Sequence, residues 1–234
     1  MEQMLITLQE GLPALSLELE EARCRKLCAF GEAMVEQNKV MNLTGIMEPS
    51  QVAKLHLLDS LTVLAAQDLR GKSLIDVGCG AGFPGVPLAI ACPEAKVTLL
   101  DSLAKRMNWL GTVLPQLDIA NARCVTARAE EAVSQCRETY DFATSRAVAR
   151  LNILLELTAP YVRVGGAVLA MKGSAAREEL EEAKNAIGQL GLKLEQVRDF
   201  TIDGAVHSVI VLRKVKPTPA RFPRRYAKIK QAPL

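Results

Sequence analysis

Three glycines in alternation, Gly78, Gly80 and Gly82, are the first feature of this sequence that points to chemistry. They lie in Asp76-Val77-Gly78-Cys79-Gly80-Ala81-Gly82-Phe83-Pro84-Gly85, directly after the short apolar run that begins at Ser73. Without a Cβ the chain can turn with positive φ and a ligand can lie against bare backbone. Pro84 can open the helix that follows, whose first N–H groups lack intrahelical partners and face that ligand. A turn needing glycine only for its own geometry would not call for so dense a run. Asp101 closes the next apolar run, Lys96-Val97-Thr98-Leu99-Leu100-Asp101, where an acid accepts hydrogen bonds from the ribose hydroxyls of a bound nucleotide.

Further polar residues recur at the ends of later apolar runs. Arg128-Ala129-Glu130 follows the third; the Ala129 backbone and the Glu130 carboxylate could read an adenine edge, or Glu130 and Glu131 could simply suit the first turn of a helix. Arg146, in Ser145-Arg146-Ala147 after the fourth, has a planar fork suited to a carboxylate, a phosphate or guanine O6 and N7, and equally to a salt bridge between strand and helix. Lys172 adds a cation at the same edge, for phosphate or as a snorkelling surface lysine. His56 and Asp59 are three apart, so a helix places them on one face, to line a pocket or to pair. The six cysteines form no C-x-x-C pair. Cys24 and Cys28 are four apart, but neither His56 nor His207 stands at ligand spacing, so no metal is expected and the thiols read as reduced core residues.

Helices and strands must position these groups. Leu19, Ala22, Leu27, Phe30 and Met34 approximate the buried stripe of a helix; the chain breaks at Asn42-Leu43-Thr44-Gly45, and Pro49-Ser50 can start a second helix bearing Val52, Leu55, Leu58, Leu61 and Leu64. Residues 1–70 therefore read as a helical cap. From Ser73 the pattern becomes five short strands (Ser73–Val77, Lys96–Asp101, Arg123–Thr126, Asp141–Ser145, Ala167–Met171) separated by segments long enough for crossover helices, which indicates a parallel sheet covered on both faces. A charged helix is expected from about Ala175 to Leu190, capped by Gly191. Leu192–Phe200 and Val206–Lys214 follow with only a turn between them, too short for a parallel crossover, so they are antiparallel. The expected fold is α/β and Rossmann-like: residues 71–214 form a seven-stranded, mostly parallel sheet ending in an antiparallel hairpin, with the helical extension before it and residues 215–234 as a basic tail.

Charge is uneven. Between Arg213 and Leu234 stand eight basic residues and no acidic one, whereas the whole chain carries only +3, so the body is net acidic. A basic edge on an acidic body suits a polyanion; a solvated, disordered terminus is the alternative. No apolar run approaches the ~20 residues of a bilayer span, and Met1-Glu2-Gln3-Met4 does not begin a signal peptide, so a cytoplasmic protein with no membrane partner is expected.

Gly80-Ala81-Gly82-Phe83-Pro84-Gly85 satisfies the dinucleotide fingerprint, a weak signal by itself. Asp76 at the head of the run makes D-x-G-x-G-x-G, which resembles the methyltransferase signature, and with the closing hairpin it favours S-adenosylmethionine over NAD. On Asn42-Leu43-Thr44, His56-Leu57-Leu58-Asp59-Ser60-Leu61, the extended glycine segment through Leu88, Leu100-Asp101-Ser102-Leu103-Ala104-Lys105-Arg106, Ser145-Arg146-Ala147 and Met171-Lys172-Gly173, the chain resembles the bacterial small-subunit ribosomal RNA methyltransferase G family, also called the glucose-inhibited division protein B family. The resemblance covers nearly the whole chain. It implies a class I S-adenosylmethionine-dependent methyltransferase acting on guanine N7 in the 530 loop of 16S ribosomal RNA, alone or in the small subunit. It further implies cofactor contacts from Gly78, Phe83, Ala129, Glu130 and Arg146, with Asp101 on the ribose. Trp109 stands where the family usually has phenylalanine. Phe222-Pro223-Arg224-Arg225 resembles the family's Tyr-Pro-Arg-Arg ending, but Tyr226-Ala227-Lys228 replaces the Gly-x-Pro that follows it.

The candidate site is then Asp76, Gly78, Gly80, Gly82, Phe83, Asp101, Ala129, Glu130 and Arg146 for the cofactor, with Arg146 and Lys172 as the catalytic positioning pair. His56, Arg224 and Arg225 join that pair on the substrate side. Guanine N7 carries an in-plane lone pair that needs no general base, so alignment of nucleophile, methyl and sulfur is the main demand. A monomer is expected. The alternatives are an NAD-linked oxidoreductase, which NAD would stabilise thermally, and a non-catalytic RNA-binding module, which would bind RNA without transferring methyl.

Overall fold

The computed structural model describes residues 1–234. Its centre is a seven-stranded sheet in the order β3-β2-β1-β4-β5-β7-β6. The strands are β1 Ser73–Val77, β2 Lys96–Asp101, β3 Ala122–Thr126, β4 Tyr140–Arg146, β5 Val162–Lys172, β6 Leu192–Ile202 and β7 Ala205–Lys214. β1 to β5 pair in parallel, and β7 runs antiparallel to both β5 and β6. The order reverses between β1 and β4, the switch point at which open sheets of this kind take ligands beyond the carboxyl ends of their strands. β1, β2 and β4 are almost wholly buried, which explains why their apolar residues run on without alternation.

Eleven helices cover the sheet. On one side lie α1 Glu2–Gly11, α2 Glu21–Met41, a continuous helical stretch made of α3 Pro49–Val52, a π-helical turn Ala53–Leu58 and α4 Asp59–Ala66, then α5 Gly85–Ala91 and α6 Ala104–Gln116. On the other lie α7 Ala129–Cys136, α8 Leu151–Thr158, α9 Ala176–Glu182, α10 Lys184–Gln189 and α11 Tyr226–Gln231. Residues of the N-terminal helices (Leu8, Leu27, Phe30, Leu61) share one apolar cluster with sheet residues Leu74, Leu99, Leu169 and Val211. The cap therefore has no separate core. A second cluster, including Ile75, Ala143, Leu155 and Leu212, fills the opposite face.

Three local features differ from the sequence reading. The helix expected over 175–190 is two helices, interrupted at the fully buried Ala183, whose φ of −85° and ψ of 2° lie in the bridge region. Helical periodicity between Pro49 and Ala66 does not disclose the π turn, because one widened turn barely disturbs the apolar stripe. The tail is not a free basic arm. Its backbone carbonyls at Thr218, Pro219 and Phe222 accept hydrogen bonds from Arg137, and Phe222 and Ile229 are buried in the second cluster. Of the eight cations from Arg213 onward, Arg213 and Lys214 lie at the end of β7, the first paired with Glu195 and the second buried, and Arg224 in the tail is held bidentate by the buried Glu156.

Candidate active site

The glycine segment becomes a left-handed turn at the carboxyl end of β1. Gly78, Gly80 and Gly82 have φ of +73°, +57° and +93°, conformations that residues with a Cβ rarely adopt. Gly78 and Cys79 donate to the Leu100 carbonyl, and Gly80 N–H donates to Asp101 Oδ2 at 2.9 Å. Leu103 N–H donates to Asp101 Oδ1 at 2.9 Å, so one carboxylate fixes the loops after β1 and after β2. A Cβ on Gly78 would lie 2.5 Å from Val148 Cγ2, so the strand-end segments after β1 and β4 close on each other across bare backbone.

Between these segments opens a cleft of roughly 610 Å³. Its floor is Gly78, Cys79, Gly80 and Ala81; one side is Leu100 to Leu103, and beyond that Ala127 to Glu130. Arg146, Ala147 and Val148 from the end of β4 face them, with Leu157 and Tyr226 behind and Leu43, Thr44, His56 and Phe83 over the cap side. This volume falls within the range of a nucleoside-sized pocket.

At the cap side a chain of hydrogen bonds crosses from β4 to the N-terminal helices. Arg146 Nη1 donates to Asp59 Oδ2 at 2.7 Å and to the Leu55 carbonyl at 3.0 Å. Asp59 N–H donates to the carbonyls of Lys54 and His56, skipping Leu55, so the π turn presents that carbonyl to the guanidinium. Arg146 Nη2 lies 3.2 Å from His56 Nδ1. A guanidinium can only donate, so Nδ1 accepts and the imidazole proton sits on Nε2. Nε2–H then donates to Thr44 Oγ1 at 2.9 Å. Thr44 Oγ1 also accepts from Ile46 N–H at 3.0 Å, which leaves its own hydroxyl hydrogen to donate at the cleft wall. Asn38 fixes this turn, accepting from Leu43 and Thr44 N–H and donating to the Thr44 carbonyl.

Charge states follow from these contacts. Burial, reinforced by the Arg146 charge, pushes the His56 imidazole down to about 4, so it is neutral at pH 7. Burial alone would raise the Asp59 carboxyl, but the hydrogen bond from His207 and the Arg146 charge outweigh it and hold Asp59 below its ordinary value. His207 Nδ1 lies 2.8 Å from Asp59 Oδ1, and that bond raises the His207 pKa. Phe83 stacks on His56 (centroids 4.9 Å apart, planes at 26°), with the Arg146 guanidinium carbon 5.2 Å from its ring centre.

Of the residues singled out in the sequence, the cleft brings together Gly78, Gly80, Phe83, Asp101, Ala129, Glu130, Arg146 and His56. Five lie elsewhere. Asp76 is fully buried beneath the turn; its Oδ2 accepts from Gly85 N–H at 2.7 Å, tying β1 to the start of α5, and its Oδ1 has no partner. Burial raises that carboxyl to about 7. Gly82 faces inward, where a Cβ would meet Val86, Leu110 and Phe30 at 2.8 to 3.1 Å, so its lack of a side chain serves helix packing. Lys172 is engaged with the Ala149 carbonyl at 2.6 Å and with Glu179 at 2.8 Å, and is nearly buried, so it holds the loop after β4 rather than offering a free cation. Arg224 is neutralised by Glu156, and Arg225, exposed on the surface, lies outside the cleft lining.

Residues 23–207 match the profile of the family described as rRNA small subunit methyltransferase G. The chain belongs to that family. Among its relatives, ribosomal RNA small subunit methyltransferase G of Clostridium perfringens (strain 13 / Type A) is 38% identical over 232 residues, covering 97% of both chains. The protein of the same name from Desulfitobacterium hafniense (strain Y51) is 42% identical over 224 residues, covering 94% of this chain and 93% of the relative. Among solved structures, M. jannaschii TYW2 in complex with AdoMet is similar in fold, with a TM-score of 0.56, 14% identity and coverage of 67% of this chain and 75% of that one. A 16S rRNA (adenine(1408)-N(1))-methyltransferase variant from Catenulisporales acidiphilia, solved with SAM, gives a TM-score of 0.53 at 16% identity, over 68% and 92% of the two chains. The chain thus has the class I methyltransferase fold and is a methyltransferase of this family.

Thr44, Val148, His207 and Tyr226 belong to the site or its supporting contacts, although the sequence alone gives none of them a role there. Thr44 sits in a motif quoted for the resemblance. His207 reaches Asp59 across a separation of 148 residues, which only the β6–β7 hairpin brings together.

Proposed function

We propose that this methyltransferase transfers the methyl group of S-adenosylmethionine to N7 of a guanine in the 530 loop of 16S ribosomal RNA. The observation that carries the reading is the left-handed turn from Gly78 to Gly80 beside Asp101, a nucleoside-sized cradle whose wall at Val148 packs so closely on Gly78 that a Cβ there would collide with it. Asp101 Oδ atoms keep lone pairs for ribose hydroxyls, and the segment Ala127 to Glu130 would border the base. When bound, the cofactor supplies an electrophilic methyl on a positively charged sulfur.

The residues present suit a reaction that needs alignment and no base. His56 is neutral, but its Nδ1 is occupied by Arg146 and its Nε2 carries the proton, so it has no lone pair to offer. Asp59 is committed to Arg146 and His207. Guanine N7 is unprotonated at neutral pH and attacks without losing a proton, so nothing needs to remove one. Arg146, Phe83 and Thr44 would define the end of the cleft where acceptor and methyl meet, with the Thr44 hydroxyl a donor for an acceptor atom there. Arg106 and Arg128 on the cleft, with exposed Arg225 and Lys228 on the nearby tail, are the cations suited to RNA phosphates in place of Lys172 and Arg224. The protein acts as a monomer in the cytoplasm on this reading. The test is labelled methyl transfer to small subunits lacking the modification, with the product nucleotide mapped. Label at a guanine N7 of the 530 loop is expected; label on another base, or none, rejects the assignment.

A further inference from the structure

The cleft has one wall that does not come from the sheet, its loops or the cap. Tyr226 opens α11, and its side chain lines the cleft behind Leu157. It is half-buried and packs against the same apolar cluster as Ala129 and Val148, two other cleft residues. The helix that carries it is pinned on both sides: Phe222 before it and Ile229 within it are buried, and Arg224 is clamped by Glu156. A six-residue helix with these anchors can hold an aromatic ring in place although it lies near the end of the chain. The position falls in Tyr226-Ala227-Lys228, which stands in place of the Gly-x-Pro that the family resemblance leads one to expect.

The sheet order indicates which end of the ligand this ring would meet. Asp101 at the end of β2 marks the ribose, and β3, with the Ala127 to Glu130 segment after it, is the next strand outward. The base therefore extends toward Ala129, away from Arg146 and Phe83 at the β1–β4 side. Tyr226 and Leu157 stand on the α7–α8 side with Ala129, whose carbonyl accepts from Tyr161 and is thereby fixed.

We propose that Tyr226 is a cofactor-binding residue that covers the adenine end of the S-adenosylmethionine cleft, making the C-terminal segment part of the cofactor site. The inference rests on the proposed cofactor, and it assigns the exposed Arg225 and Lys228 a place next to that site, so that RNA held by the tail lies beside the bound nucleoside. Stacking of an aromatic side chain on a base contributes enough that its removal weakens binding about tenfold.

The test is isothermal titration of S-adenosylhomocysteine and of 5′-methylthioadenosine, which lacks the amino acid, into wild type, Tyr226→Phe, Tyr226→Leu and Tyr226→Ala. Ligand-free melting temperatures serve as the check on folding. Tyr226→Phe should bind as wild type, whereas Tyr226→Leu and Tyr226→Ala should lose about tenfold for both ligands by the same factor. Tyr226→Leu keeps an apolar contact with the second cluster, so it reports on the ring even where Tyr226→Ala loosens the helix. Unchanged affinity in Tyr226→Leu overturns the proposal, as does a loss confined to S-adenosylhomocysteine, which would put the ring at the amino-acid end. If wild type itself binds neither ligand, the cofactor reading fails rather than the role of Tyr226.

Discussion

Arg146→Ala removes the one side chain that ties β4 to the π turn, and its cost can be worked from the contacts. The guanidinium is 18% exposed and its partner carboxylate on Asp59 9% exposed, so the pair is largely withdrawn from water. Breaking a buried pair by removing one partner costs about 3–5 kcal/mol. Two features lower the figure here: His207 Nδ1 still hydrogen-bonds Asp59 Oδ1, and the pair retains some solvent. Loss of the bonds to the Leu55 carbonyl and His56 Nδ1 acts in the opposite direction. A net destabilisation of about 2–3 kcal/mol follows, which for a chain of this length lowers the melting temperature by roughly 5–10 °C. The variant should therefore lose methyl transfer together with part of its stability, rather than on an unaltered fold. Calorimetric melting reads the first effect. Proton NMR titration of His56 reads a second: with the Arg146 charge gone, one of the two causes that hold the imidazole near 4 is removed, and it should titrate higher. Arg146→Lys keeps a charge without the fork and should fall between. A melting temperature within 1–2 °C of wild type, together with an unmoved His56, would refute the keystone role.

Gly78→Ala adds a Cβ 2.5 Å from Val148 Cγ2 at a φ of +73°, so it should abolish measurable S-adenosylhomocysteine binding; retained affinity within threefold counts against the cradle. Asp76 titrates with the opposite sign to a salt-bridged carboxylate. Its native pKa is raised from 3.8 to about 7, so the native state holds a proton that the unfolded chain has released, and stability falls as pH rises between those values. Asp76→Asn, which cannot ionise, should gain on wild type by about 2–4 kcal/mol between pH 4 and pH 8; denaturation curves whose separation does not change with pH would contradict this. Truncation after Lys216 strips Arg224 from buried Glu156 and uncovers the sites of Phe222 and Ile229, so it should destabilise the whole chain. The double variant Arg225→Ala/Lys228→Ala touches only exposed cations; it should melt as wild type yet reduce the salt slope of RNA binding by about 1.5, and an unchanged slope argues against the tail as an RNA contact.

Strand boundaries and the glycine turn were legible because burial on both faces leaves near-continuous apolar runs and because only glycine satisfies three positive φ values in one turn. Lys96–Asp101 and Ser73–Val77 appear in the structure as read from sequence. The sequence shows only part of β5, an interior strand, because it extends back to Val162 through the exposed Arg163-Val164-Gly165, where a cation and two successive glycines interrupt the apolar run. The site was legible where backbone geometry dictates residue type and less so where pairing does. A cation at a strand end looks the same in sequence whether it faces substrate or a carboxylate: Lys172 meets Glu179 and Arg224 meets Glu156, and neither acid has a spacing that announces the pair. Asp76 heads the signature yet lies beneath the turn, because its work is to hold Gly85. Tyr226 and His207 carry no local signal, since each reaches its place only through long-range folding.

Titration calorimetry of S-adenosylhomocysteine and NAD into the purified chain addresses the central claim most directly, because everything else depends on what the Gly78–Gly80 turn and Asp101 hold. The account requires one S-adenosylhomocysteine per chain, lost in Gly78→Ala, with no heat from NAD. Saturation by NAD, or no binding of S-adenosylhomocysteine at millimolar concentration, would contradict it.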